Sequence, residues 1–118
     1  FKESLKIIGE IVDLKIFKFK TGQKVLNWII PNEWNIKDAY IITPTGKKIA
    51  DFKKHNLHIL NYSQPINKKI SLKKLKEKIY TLPNMPKAIP YITSYYSKDW
   101  GFCISHTEYK KLKNGNYK

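Results

Sequence analysis

The sequence predicts an α+β domain, β-rich and layered in the manner of a sandwich, with two or three short helices. Three observations lead there. Short apolar runs recur between turn residues. Only a few stretches place apolar residues at helical spacing. Pro83, Pro86 and Pro90 hold a long segment extended, because proline lacks the amide a helix needs.

The elements follow in order. From Glu3 to Ile11, residues Leu5, Ile7, Ile8 and Ile11 have near-helical spacing and predict a short helix. Residues 14–19 alternate and read as a strand, turned by Thr21-Gly22. Val25 to Ile30 is a second strand, stopped by Pro31. Ala39 to Thr43, the turn Pro44-Thr45-Gly46 and Lys48 to Phe52 form strand, turn and strand. Leu57 to Tyr62 is a fifth strand.

Ser71 is placed to cap a helix that runs to about Tyr80. Leu72, Leu75 and Ile79 make its apolar stripe, and Lys73, Lys74, Lys76 and Lys78 its wet face. Tyr91 to Tyr96 and Gly101 to Ile104 read as strands. Ser105 with Glu108 has the spacing of a capping box for a last helix over 106–112. Asn114-Gly115 is a helix stop or hairpin turn, with a strand expected after Tyr117. Phe1 at one end and this unfinished strand at the other suggest one domain, 1–118, excised from a longer protein.

With 118 residues, such a domain can bury about two thirds of its unfolded surface. No run approaches the ~20 apolar residues of a membrane span, and no membrane partner is expected. Cys103 is the only cysteine, which excludes an internal disulfide and any multi-cysteine zinc site and fits a reduced, cytoplasmic setting.

The net charge of +14 rests on 23 lysines with no arginine. Bidentate recognition of guanine and phosphate favours arginine, so nucleic acid is not the expected partner. Lys, Ile, Asn, Tyr and Phe, all residues with AT-rich codons, together supply 62 of the 118 positions, so codon bias accounts for much of the basic excess.

The candidates for chemistry are few. His55 and His58 stand three apart, which on a strand points them to opposite faces, so no metal site is expected between them. Cys103, between Phe102 and Ile104, reads as a small buried hydrophobe rather than a nucleophile paired with His106. The carboxylates are scattered, and no glycine-rich phosphate loop occurs. No catalytic residue is assigned. The stretches Ser94-Tyr95-Tyr96 and Asp99-Trp100-Gly101-Phe102 gather amphipathic aromatics at a turn, an arrangement that serves a core or a contact surface.

Four stretches carry a family resemblance: 27–41, beginning Asn27-Trp28-Ile29-Ile30-Pro31; 52–65, with Phe52-Lys53-Lys54-His55-Asn56-Leu57-His58; 82–96, with Leu82-Pro83-Asn84-Met85-Pro86; and Trp100-Gly101-Phe102-Cys103-Ile104-Ser105-His106. In order and spacing they resemble the inserted domain of unknown function of bacterial and archaeal aminopeptidase-like proteins. The resemblance implies a parent like a zinc exopeptidase, with an α/β catalytic domain and a C-terminal winged helix. Its zinc signature, opening with Cys-His-Pro, would follow this segment, so zinc is implied for the parent and no cofactor for these residues. Lys98-Asp99 stands where the family resemblance leads one to expect a basic residue directly beside Trp100.

On that resemblance the segment is an accessory domain that shapes the substrate cleft or supports assembly. The catalytic domain of the same chain would be its partner. Its contact residues would be Tyr95, Tyr96, Asp99, Trp100 and His106, with Asn56 and His58 as second choices. Two rivals remain open at this point: a lysine-based binder of nucleic acid or acidic surfaces, and a module that forms a homo-oligomer through its aromatic patch.

Overall fold

Leu5, Ile7, Ile8 and their neighbours do form the first helix, α1 (Lys2–Gly9). A computed structural model describes residues 1–118, which divide into two units, 1–33 and 34–118.

In the first unit, α1 gives way to a turn at 10–12, held by the Ile11 and Val12 amides donating to the Ile8 carbonyl. Residues 14–19 form no strand. Leu14 and Ile16 lie on one alternation and Phe17 and Phe19 on the other, so the stretch has no polar face, and no backbone in its unit pairs with it. Thr21-Gly22 turns as expected, with Gly22 at φ 78° and its amide donating to the Ile30 carbonyl. The single strand expected over 25–30 is a hairpin, β1 (Lys24–Val25) against β2 (Trp28–Ile29), with Val25 opposite Trp28. Its two-residue turn places Leu26 at φ 56°, a position that usually draws glycine. Not one residue of this unit is buried.

The second unit holds the core. β3 (Ile41–Ile42) and β4 (Lys48–Ile49) pair across the expected Pro44-Thr45-Gly46 turn, with Ile41 opposite Ile49. β5 (Ile70–Ser71) runs straight into α2 (Leu72–Lys76). α2 ends well before Tyr80. The Lys78 amide closes a turn on the Leu75 carbonyl, and β6 (Ile79–Tyr80) leaves as a strand. Leu72, Leu75 and Ile79 are all buried as expected, because the same apolar spacing suits one helical turn followed by a strand.

β6 pairs in parallel with β7 (Phe102–Cys103), placing Ile79 beside Phe102. α3 (His106–Lys110) starts at the expected capping box. The Glu108 amide donates to Ser105 Oγ, and the Ser105 hydroxyl and amide both reach Glu108 Oε2. The last strand, β8 (Asn116–Tyr117), begins earlier than expected and includes Tyr117. It pairs antiparallel with β5, while Ile42 and Lys118 exchange backbone bonds of 2.6 and 3.0 Å. Thus β8 joins β5 on one side and the end of the β3–β4 hairpin through Lys118. Gly115, at φ 145°, lets the chain pass close over Pro44; a Cβ there would lie 2.5 Å from the proline ring.

The core gathers Ile41, Leu72, Leu75, Ile79, Phe102, Ile104 and Tyr117. Each buried Leu or Ile contributes about 1.5–3 kcal/mol relative to an exposed one. The result is an α+β unit in which the β structure is divided among two-stranded pairs.

Candidate functional site

The site is built on residues 59–64. The strand expected over Leu57 to Tyr62 does not start at Leu57: Asn56–His58 form a 3-10 turn whose entry is capped by His55, where the Leu57 amide donates to His55 Nδ1 at 3.2 Å. In such a turn residues three apart eclipse one another. The His55 and His58 rings therefore meet edge to face, 5.9 Å apart, instead of lying on opposite faces. His58 is buried, and its Nδ1–H donates to the Cys103 carbonyl at 2.8 Å, which fixes that tautomer. Asn56 stands exposed at the start of the turn.

Beyond the turn, Ile59 bridges Phe102 and Asn61 bridges Thr93. The chain here runs between two segments. The Leu60 and Gln64 amides donate to the Gly101 and Asp99 carbonyls on one side, and the Asn61 amide donates to the Ile92 carbonyl on the other. Residues 91–96 make no longer strand than the single bridge at Thr93, because the chain turns at Ser94, where the Ser97 amide and hydroxyl both donate to its carbonyl.

This arrangement brings four aromatic rings into file. Trp34 stacks on Tyr62 at 5.9 Å and 26°. Tyr62 meets Tyr95 edge to face at 5.2 Å, and Tyr95 meets Tyr96 at 4.7 Å and 86°. Trp34 is pinned by its indole N–H donating to the Ser63 carbonyl. Tyr62 and Tyr95 both adopt left-handed backbone, at φ 67° and 44°. Such conformations cost about 1–3 kcal/mol each in a bulky residue and gather where side chains must be aimed. Of these rings Tyr96 is the most exposed, at 58%. Close by in the chain, Asn61 Nδ2 donates to the Tyr91 hydroxyl at 2.9 Å. Desolvation first, and then the neighbouring tyrosines, push the Tyr95 hydroxyl above its ordinary pKa, so it stays a protonated donor.

A polar pair adjoins the same spine. Lys78, expected on a wet helix face, is instead half-buried beyond the end of α2 and lies 2.6 Å from Asp99. Asp99 also accepts the Trp100 amide at 2.8 Å. The hydrogen bond from Lys78, then that from the Trp100 amide, hold the Asp99 carboxyl below its ordinary range, and the carboxylate raises Lys78 in turn. The Lys78 ammonium also lies 5.9 Å from the Trp100 ring centre. A cation thus stands by Trp100, supplied from across the chain.

The structure therefore joins Tyr95 with Tyr96 and Asp99 with Trp100. It ties His106 elsewhere, with Nδ1 against the Thr81 hydroxyl at 3.0 Å and its ring stacked on Tyr109. His58 serves the Cys103 backbone. Trp34, Tyr62 and Lys78 were not singled out as contact residues, since nothing local in the sequence links them to Tyr95 or Asp99. Cys103 is fully buried, and burial pushes its thiol up to about 11, so it fills the core as expected. No three of the His, Cys, Asp and Glu side chains come together in a group that could hold a metal ion.

Comparison with known proteins places this geometry. A protein of Clostridium acetobutylicum that carries the provisional name of polysaccharide biosynthesis protein with aminopeptidase-like domain is 40% identical over 98% of this chain. The chain spans 27% of that relative's length. A crystal structure from the same organism, provisionally described as a peptidase, superposes with a TM-score of 0.87 at 40% identity, covering 98% of this chain and 28% of that one. A family model of a domain of unknown function, DUF2172, matches residues 33–118. The chain belongs to the DUF2172 family.

Proposed function

We propose that this chain is the accessory domain of a zinc-dependent aminopeptidase-like protein of the cytoplasm. Its aromatic file would line or narrow the approach to the substrate cleft. The observation that carries the reading is the similarity to the Clostridium acetobutylicum protein: 40% identity runs across almost the whole chain, yet the match spans only about a quarter of that protein, which is named for its aminopeptidase-like domain. The file supports it, since two left-handed tyrosines, Tyr62 and Tyr95, are packed in line behind the exposed ring of Tyr96. No bond making is assigned to these residues. The zinc would be held by residues outside this chain, because its own donors do not converge.

The role is contact. Tyr96 presents its ring to a substrate or to the neighbouring catalytic domain, Tyr95 and Tyr62 brace it, and Asp99 with Lys78 fixes the turn that carries Trp100. The test is Tyr96→Ala in the full natural protein, assayed on peptides with a free N-terminus. Removal of one exposed aromatic contact is expected to raise KM about five- to tenfold with kcat and melting temperature nearly unchanged. Unaltered KM and kcat in a stably folded variant would remove the cleft role.

A further inference from the structure

The first 33 residues have a surface out of keeping with the rest of the chain. Eleven of the sixteen exposed large apolar side chains lie there, and nothing there is buried. Leu26 is 91% exposed, Ile11 83% and Phe17 66%. Scattered exposed apolar residues are ordinary, but this density marks a surface that another surface covers. The orientation of α1 agrees. Its inner side is marked by Gly9, where an added Cβ would sit 3.8 Å from the Leu14 side chain. Ile7 lies about 200° around the helix from Gly9, so it points away from the material of its own unit.

Two boundaries coincide with this change. The compact units divide after Glu33, and the DUF2172 match begins at residue 33. The relative nevertheless matches over 98% of the chain, so it carries the first unit too, followed or preceded by far more polypeptide. We infer that residues 1–33 are not part of the accessory domain proper but an apolar docking element, covered by the aminopeptidase-like portion of the same polypeptide. This rests on the accessory-domain reading and extends it by assigning the occupant. Charge separates that occupant from an anionic membrane. The first unit carries six lysines against four acids, and the second seventeen against five, so the first unit has little net positive charge to draw it to anionic lipid.

Hydrogen exchange tests the assignment. In the full natural polypeptide, amides of α1 and the β1–β2 hairpin are expected to exchange at least about 100-fold more slowly than in the 118-residue chain alone. Ile11→Asp with Phe17→Asp in the full polypeptide is expected to abolish that protection while leaving amides of 34–118 unchanged. Equal exchange in the two unsubstituted proteins would overturn the inference. So would protection of the 118-residue chain that grows with its own concentration, which assigns the face to a second copy. Protection gained by that chain only on adding phosphatidylserine vesicles would also overturn it and assign the face to a membrane. The two readings fail separately. Protection with unchanged Tyr96→Ala kinetics defeats the cleft role alone, and altered kinetics without protection defeats the docking element alone.

Discussion

Lys78 Nζ lies 2.6 Å from Asp99 Oδ1, the same oxygen that accepts the Trp100 amide. One carboxylate oxygen thereby ties the end of α2 to the loop entering β7. The pair is about one-third exposed at each side chain, so screening limits its worth to about 1 kcal/mol or less. Asp99→Asn keeps an acceptor for Trp100 and removes the charge. The signs set the window. The Asp99 pKa is lowered from 3.8, so its contribution is complete above about pH 4 and is lost as pH falls through the lowered value. The Lys78 pKa is raised from 10.5, so its contribution is complete below that pH and is lost as pH rises further. Melting curves from pH 2 to 8 should show a roughly constant deficit for Asp99→Asn at pH 5–8 that closes below pH 4. A deficit that persists in acid would mean that the charge is not what stabilises the turn.

Gly101 sits where no side chain fits. A Cβ there would lie 2.8 Å from the Tyr80 ring and 2.9 Å from the Lys78 carbonyl, and the latter is backbone that β6 holds in place. Gly101→Ala should cost about 1–3 kcal/mol, lowering the melting temperature by about 4–12 °C. Calorimetry of the two proteins at one pH measures it. A neutral outcome would show that β6 and β7 separate more readily than their pairing implies.

His58 supplies the side-chain donor for the buried Cys103 carbonyl. His58→Leu conserves much of the volume and withdraws that donor, which should cost about 1–3 kcal/mol in chemical denaturation. If the variant is as stable as the parent, the carbonyl has found another donor, and the loss of the 3-10 turn's anchor is of no consequence.

Legibility in the sequence followed distance along the chain. The capping box at Ser105 and Glu108 and the turn at Pro44-Thr45-Gly46 were legible because every participant lies within a few residues. The β1–β2 hairpin was hidden by Leu26, which takes a positive φ without the glycine that normally announces one. Ile79 was placed on the right face but in the wrong element, since Leu72, Leu75 and Ile79 satisfy a helix and a helix-then-strand equally. The 3-10 turn at Asn56–His58 was missed because an apolar run of that length reads as a strand until Cys103 offers its carbonyl to His58. Of the aromatic file, Tyr95 and Tyr96 stood out as neighbours. Trp34 and Tyr62 join them only through tertiary bonds such as the indole to the Ser63 carbonyl. Family resemblance, carried by four ordered stretches, reached further than any of these local signals.

The burial of Cys103 gives the protein a built-in clock. The chain has a single thiol, it is inaccessible, and its pKa stands near 11, so alkylating reagents find almost no thiolate while β7 is in place. Modification must then wait for the strand to part from β6 and for His58 to release its carbonyl. The ratio of the labelling rate to that of a free cysteine reads out how often the centre of the second unit opens.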